Sequence, residues 1–237
     1  MPSSRPKLSL IIPTGPGDTA WRSLFVWLTH HGSGHDLLRN AEVIMVPCET
    51  VSLLAAECES LNLQIINTER GRALQQNVGA ENAIGDYLWF LHADTELSQQ
   101  AVEQAEAFIQ RNSRDVAYFN LRFASDGPAL TILNAIGANL RSRLFNLPFG
   151  DQGFLVAKST WNQVGPFNIT LKAGEDLDWV VRARRSGFKL IRLSASLRTS
   201  ARKYQKNGWL STTWHHVAET IRQYRAAKKR LCIAKNK

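Results

Sequence analysis

The sequence predicts an α/β fold: a mostly parallel, mixed sheet flanked by helices and followed by a basic C-terminal helix. Three observations carry this. Short apolar runs at Leu8 to Pro13, Val43 to Val46, Leu63 to Asn67 and Tyr87 to Leu91 are each closed by turn residues, as buried strands are. Segments with helical apolar spacing lie between them, and strands alternating with helices at this spacing mean βαβ units. Charge divides the chain: residues 1–178 hold 13 Lys+Arg against 19 Asp+Glu, and residues 179–237 hold 16 Lys+Arg against the single acid Glu219.

The elements follow in order. Leu8 to Pro13 is a strand that runs into Thr14-Gly15-Pro16-Gly17. Residues 19–31 place Trp21, Leu24, Phe25 and Leu28 on one helical face, and Gly32 stops the helix. Val43 to Val46 ends at Pro47, residues 50–60 read as helical, and Leu63 to Asn67 is a third strand. A helix over 72–84 is closed by Gly85, Tyr87 to Leu91 is a fourth strand, and Ser98 caps a helix reaching Gln110. Val116 to Phe123 alternates as a strand does. A helix over 128–146, a strand at Gly153 to Ala157, a helix from Gly174 to Gly187 and a strand at Phe188 to Leu193 complete the domain. Residues 209–231 read as a final basic helix. The expected organisation is a domain over 1–205 with a helical tail over 206–237.

With 237 residues, 44% hydrophobic and 21% charged, the chain suits a soluble globular protein and excludes a disordered one. No apolar run approaches the roughly 18–20 residues needed to span a bilayer. The apolar patch at the amino end is short for a signal peptide. Cys48, Cys58 and Cys232 lack paired metal-ligand spacing and read as free thiols. The expected location is therefore cytoplasmic, peripheral at the inner face of the membrane. The +15 of the last quarter points to an anionic partner. Trp209, Trp214 and Tyr224 lie among Arg222, Arg225, Lys228, Lys229 and Arg230, which favours a membrane surface over a merely solvated helix face. No nucleic-acid module is visible, so no specific nucleic-acid partner is expected.

In open α/β sheets ligands sit at the carboxyl ends of the strands. His92-Ala93-Asp94-Thr95 falls there, where a carboxylate can ligate Mg²⁺ or Mn²⁺, or can simply make a polar turn. Two residues apart on an extended chain, His92 and Asp94 would point the same way. Glu175-Asp176-Leu177-Asp178 opens a helix, where acids are favoured by the macrodipole alone, so Glu175 and Asp176 stay open between structure and general base. Asp178 and Arg182 are spaced for an ion pair. Arg72 opens the helix carrying Gln75, Gln76 and Gly79, and suits phosphate contacts or a solvated face. Gly150-Asp151-Gln152-Gly153 reads as a turn, and His215-His216 as part of the tail helix.

The order of these blocks resembles glycosyltransferases of family 2 with the GT-A fold. Leu8 to Thr14 is similar to the opening strand of that family. Gly71-Arg72-Ala73, Gln75, Asn77, Gly79-Ala80, Ala83, Gly85-Asp86 and Phe90-Leu91-His92-Ala93-Asp94-Thr95 resemble a subgroup with His-Ala-Asp in place of Asp-x-Asp. Gly150 to Gly153 is similar to its acceptor-side loop, and Gly174 to Asp178 with Arg182 and Gly187 to its Glu-Asp helix. The resemblance covers roughly residues 8–205.

It implies a nucleotide-sugar donor, usually a UDP-sugar, and a divalent cation, Mn²⁺ or Mg²⁺. Asp94 would hold the metal on the diphosphate. Pro13, Thr14, Arg72, Asn77, Ala93 and Asp94 would line the nucleotide sugar, and Gln152 would face sugar or acceptor. Asp176 would be the base, oriented by Glu175. A single base implies inversion. The acceptor is unknown from the sequence, and the basic tail would suit a lipid-linked one on a membrane.

The sequence departs from the pattern on the nucleotide side. Pro47-Cys48-Glu49-Thr50 stands where an Asp-rich turn is usual, and Gly15-Pro16-Gly17-Asp18 where an Asn-Glu pair is usual. Those departures motivate a rival reading as a non-catalytic GT-A-like binding domain. A nucleotidyltransferase is the third reading, with no basic residue in the first turn until Arg22.

Overall fold

The computed structural model describes residues 7–51, 61–128, 130–201 and 222–226. Among them seven strands are formed: β1 (Leu8–Thr14), β2 (Glu42–Pro47), β3 (Asn62–Ile65), β4 (Tyr87–Phe90), β5 (Val116–Phe123), β6 (Phe154–Ala157) and β7 (Leu190–Thr199). They make one sheet in the order β3-β2-β1-β4-β6-β5-β7. β6 is antiparallel to both β4 and β5, and every other pairing is parallel. The mixed, mostly parallel sheet is the one expected.

The helices are α1 (Trp21–His31), α2 (Asp36–Arg39), α3 (Arg72–Asn82), α4 (Gln99–Gln110), α5 (Thr131–Phe145), α6 (Lys158–Val164) and α7 (Glu175–Arg185). Side chains on a strand alternate between the two faces of the sheet. Leu8, Leu10 and Ile12 of β1 therefore pack with Trp89 against Leu24, Phe25 and Leu28 of α1 and Val102 and Phe108 of α4. Ile11 faces the other way, with Ile44, Val46 and Phe90, against Ala73 and Ala80 of α3 and Trp179 and Val180 of α7. Because both faces are covered, β1 is buried along its whole length. That is why it reads as an unbroken apolar run.

Ser98 caps α4 as expected, accepting from the Ala101 N–H at 3.2 Å. Asp178 and Arg182 form the expected pair at 3.0 Å, and Arg182 also donates to the carbonyls of Val164 and Pro166. α2 and α6 were not anticipated: one has four residues and the other seven, too few turns for a periodic signal. The last strand runs on past Leu193 to Thr199, because Ala195 and Leu197 keep the alternation with small and polar neighbours in between. Residues 52–60 of the helix expected over 50–60 and most of the one over 209–231 lie outside the described residues, as do Cys58, Cys232, Trp209, Trp214, His215 and His216; Thr50 and Val51 are described and are not helical. Residues 222–226 are helical, and Tyr224 packs against Leu147, Leu177 and Val181.

Gly79 sets how closely α3 lies on the sheet. A Cβ there would sit 2.6 Å from Ile11 Cγ2 and 3.2 Å from Val46 Cγ2. Gly79→Val is expected to destabilise the fold by about 1–3 kcal/mol through overpacking. Urea unfolding reads this as a lower midpoint at unchanged slope. An unchanged midpoint would mean that α3 is not seated so tightly.

Candidate active site

Parallel neighbours β1 and β4 are where the strand order changes direction, with β2 and β3 on one side and β6, β5 and β7 on the other. The crevice outside such a point is where ligands bind in open α/β sheets. Pro13 and Thr14 end β1 there, both buried. Gln75 on α3 donates through Nε2 to the carbonyls of Thr14, at 2.8 Å, and Val46, at 2.7 Å. One amide thus fixes α3 across the ends of two strands and holds Arg72, one turn earlier, at the crevice.

Glu175 and Asp176 begin α7, after Gly174 in a left-handed conformation (φ 83°). Both are buried. Arg72 Nε donates to Glu175 Oε1 at 2.5 Å, and its Nη2 lies 3.9 Å from Asp176 Oδ2. Asp176 Oδ2 accepts from the Gly150 N–H at 2.8 Å and its Oδ1 from the Leu177 N–H at 2.7 Å. The carboxylate is therefore fixed at both oxygens by backbone donors. The sequence left Glu175 and Asp176 open between roles. The structure brings both to Arg72, while Asp178 goes to Arg182.

The loop Gly150-Asp151-Gln152-Gly153 forms a 3-10 turn between Phe149 and β6. A Cβ at Gly150 would lie 3.3 Å from both Asp176 Oδ2 and His92 Nε2, so the missing side chain lets three elements meet. Gln152 is fully buried. Its Oε1 accepts from Ser142 Oγ at 2.6 Å and the Phe149 N–H at 3.2 Å, and its Nε2 donates to the Phe119 carbonyl at 3.0 Å. In this structure it holds the loop, where the resemblance implies a residue facing sugar or acceptor. Asn77 is similarly engaged: its amide exchanges two 2.8 Å bonds with the Phe167 backbone, so it braces the loop before α7 instead of lining the crevice.

The chain turns directly after β4. The Thr95 N–H reaches the His92 carbonyl at 3.1 Å. The extended geometry expected to align His92 with Asp94 is absent, and the two side chains part. His92 faces Gly150 and Asp176. Asp94 Oδ2 instead accepts from Thr199 Oγ1 at 3.0 Å and the Ser200 N–H at 3.3 Å, at the end of β7. Ala93 between them is buried.

Neither bond uses Asp94 Oδ1. No cluster of three or more His, Cys, Asp or Glu able to hold a metal occurs among the described residues. This donor set fits a Mg²⁺- or Mn²⁺-type ion that takes one carboxylate and completes its shell with water and phosphate oxygens. It does not fit an ion held by protein ligands alone.

Asp151, which the sequence marks only as part of a turn, belongs to the site. Its carboxyl is buried beside His92, Arg141, Asp176 and Arg72, and burial above all pushes it up from the ordinary carboxylate range. Asp151 Oδ1, His92 Nε2 and Thr14 Oγ1 are buried without a hydrogen-bond partner among the described residues. Only the Gly-flanked block hinted at this, because a polar pair between glycines can turn inward as well as outward.

On the first turn, the Gly17 N–H donates to Glu49 Oε1 at 2.5 Å, and Asp18 Oδ1 accepts from the Ala20 N–H at 2.9 Å. The two acids of the altered nucleotide-side turns therefore shape the turn itself.

His92 is held below its ordinary value of 6.5, first by burial and then by the Arg72 cation, against the pull of Asp94, Asp151 and Asp176. The unfolded chain takes that proton at the ordinary value and the folded chain only at lower pH. The His92 contribution to stability is thus full above pH 6.5 and lost as pH falls through the folded value. Imidazole ¹⁵N shifts are expected to show a neutral His92 ring at pH 6.5, where a free histidine is half charged. A half-charged ring would contradict this placement.

Residues 49–173 match the family described as Glycosyl transferase family 2. The amylovoran biosynthesis glycosyltransferase AmsB of Erwinia amylovora is 26% identical over 147 residues, covering 58% of this chain and 49% of that protein. The chain thus spans about half the length of that curated relative. The S. aureus TarS structure superposes with a TM-score of 0.62 at 18% identity, over 82% of this chain and 37% of that one. The mannosyltransferase PcManGT from Pyrobaculum calidifontis, solved with GDP-Man and Mn²⁺, gives 0.66 at 16% identity over 97% of this chain and 66% of that one. These superpositions bear out the GT-A-type sheet, and the sequence match covers the crevice from Glu49 through the loop before α7. The chain belongs to glycosyltransferase family 2.

Proposed function

We propose that this chain moves a sugar from a nucleotide-sugar donor, a UDP-sugar before other nucleotides, to an acceptor hydroxyl with inversion at the sugar carbon. The observation that carries the reading is Asp176, a buried carboxylate held by two backbone N–H groups beside Glu175 and Arg72. An attacking hydroxyl must lose its proton as the new bond forms, and a fixed carboxylate within reach can take it. Glu175 positions Asp176 by occupying Arg72. Asp151, the neighbouring carboxyl, is held towards its neutral form, which does not suit a nucleophile. A single in-line displacement follows.

Charge develops on the diphosphate as it leaves, and Arg72 stands at the crevice to meet it. A Mn²⁺ or Mg²⁺ ion held by Asp94 and the donor phosphates would add Lewis-acid charge neutralisation at the same group. TarS was solved with UDP-GlcNAc and PcManGT with GDP-Man and Mn²⁺, and likeness of fold to both supports a nucleotide-sugar donor and a cation. The orphaned atoms of His92 and Asp151 suit sugar hydroxyls, which can both donate and accept. In this reading His92-Ala93-Asp94 assigns the chain to the subgroup with that motif, and the acceptor is lipid-linked.

The Gly17–Glu49 bond favours one rival. A turn closed on itself in this way would suit a GT-A-like domain that binds a partner and transfers nothing.

Asp176→Asn separates the two. The expected result is a fall in UDP release from UDP-sugars of about a hundredfold or more, with donor affinity kept. Unchanged turnover in the variant would remove Asp176 as the base.

A further inference from the structure

Helix α5 turns its small and polar residues inward and its large apolar ones outward. Its inward face consists of Thr131, Ala135 and Ser142, which are buried, and Asn139, whose amide exchanges bonds with the Leu121 backbone. Its outward face carries Ile132 (66% exposed), Leu133 (52%), Ile136 (58%), Leu140 (51%), Leu144 (61%) and Phe145 (63%). Ile132, Ile136, Leu140 and Leu144 repeat every fourth residue and form one stripe. Of the eleven large hydrophobic residues that are exposed among the described residues, six lie on this helix. Singly exposed apolar side chains need no explanation, but a contiguous stripe does.

Charge indicates what covers it. Between Asp126 and Asp151 the sequence has no carboxylate and two arginines: Arg141, which turns inward over the Phe149 ring, and Arg143, which is exposed. At the C-terminal end of α5, Arg184 of α7 donates to the carbonyls of Phe145, at 3.2 Å, and Asn146, at 3.4 Å. A second copy of this chain meeting this helix would bring Arg143 and Arg184 against their own copies, with no acid on α5 to offset them. An anionic lipid surface offers a hydrocarbon edge for the stripe and negative headgroups for the arginines. With 15 residues, α5 is too short to cross a bilayer and has the length to lie in its surface.

We infer that α5 is an interfacial helix that docks the domain on an anionic membrane, with its Ile132–Leu144 stripe in the headgroup–acyl boundary. The docked helix is bonded to the loop of the candidate site. Ser142 Oγ donates to Gln152 Oε1, the Tyr118 hydroxyl to the Ser142 carbonyl, and Arg141 Nε to the Leu147 carbonyl. A membrane against α5 therefore lies beside the loop that touches Asp176. Delivery of a lipid-linked acceptor to Asp176 rests on the proposed transfer reaction, whereas docking does not.

The test is co-sedimentation of the full chain with vesicles of phosphatidylcholine containing about one third phosphatidylglycerol, against pure phosphatidylcholine. Ile136→Glu/Leu140→Glu is compared with the unmodified chain. The same positions changed to Ser serve as a milder pair that leaves charge unaltered. Thermal unfolding and UDP affinity are followed in each. The expected result is binding to the anionic vesicles that weakens about tenfold or more in both pairs, with unfolding and nucleotide affinity unchanged. Full binding in the Ser pair would overturn the proposal, because the basic tail alone would then account for attachment. Absence of vesicle binding would overturn it as well. So would a dimer in solution that the Ser pair converts to monomer, which would assign the stripe to a second copy of the chain.

Discussion

Everything at the crevice depends on the contact of Arg72 with Glu175 and Asp176. Three acids open α7, two of them adjacent and both buried. The helix N-terminus offsets part of that negative charge. Arg182 meets Asp178, and the adjacent pair Glu175 and Asp176 is met by one guanidinium from α3, more than one hundred residues earlier in the chain. Removing one member of a buried ionic cluster costs far more than the cluster contributes, since it leaves a charge desolvated and unpaired. Arg72 keeps 43% of its side chain exposed, so water moderates that cost and leaves the cation accessible to a ligand. The same contact thus closes the fold at the crevice and holds a cation at its rim.

The surrounding parts follow from keeping that contact in place. Gly79 lets α3 approach the sheet, and Gln75 fixes it to the ends of β1 and β2. Asn77 braces the Phe167 loop, which leads into α7. Gly150 brings its backbone N–H onto Asp176 without a side chain in the way. Four positions along α3, namely Arg72, Gln75, Asn77 and Gly79, therefore serve this arrangement, and Arg72 is the one that reaches the ligand side.

The order of strands and helices was legible in the sequence because burial on both faces writes β1 and β4 as apolar runs, and because the Ser98 cap and the α7 acids mark helix starts. The fan of contacts around Arg72 was half legible. The residue types pointed to anion binding, but their partners lie far away in sequence, and spacing carries no information about them. Gln152 and Asn77 show the limit. Both are polar residues in motif blocks, and both spend their amides on partners inside the fold, a use that composition cannot distinguish from ligand binding. Asp151 and the separation of His92 from Asp94 depend on a turn whose direction only packing decides. The outward apolar face of α5 was hidden for a related reason: a periodic pattern gives the helix but not which side meets the sheet, and small residues took the inner side.

Whether the crevice takes a nucleotide with a cation is the point on which the functional account stands. Calorimetric titration of UDP, GDP and dTDP, each with and without Mn²⁺, into the full chain and into Asp94→Ala addresses it directly. The account predicts that UDP binds, that binding requires the cation, and that Asp94→Ala abolishes it. Failure of all three nucleotides to bind with Mn²⁺ present would contradict the account and favour the non-catalytic reading.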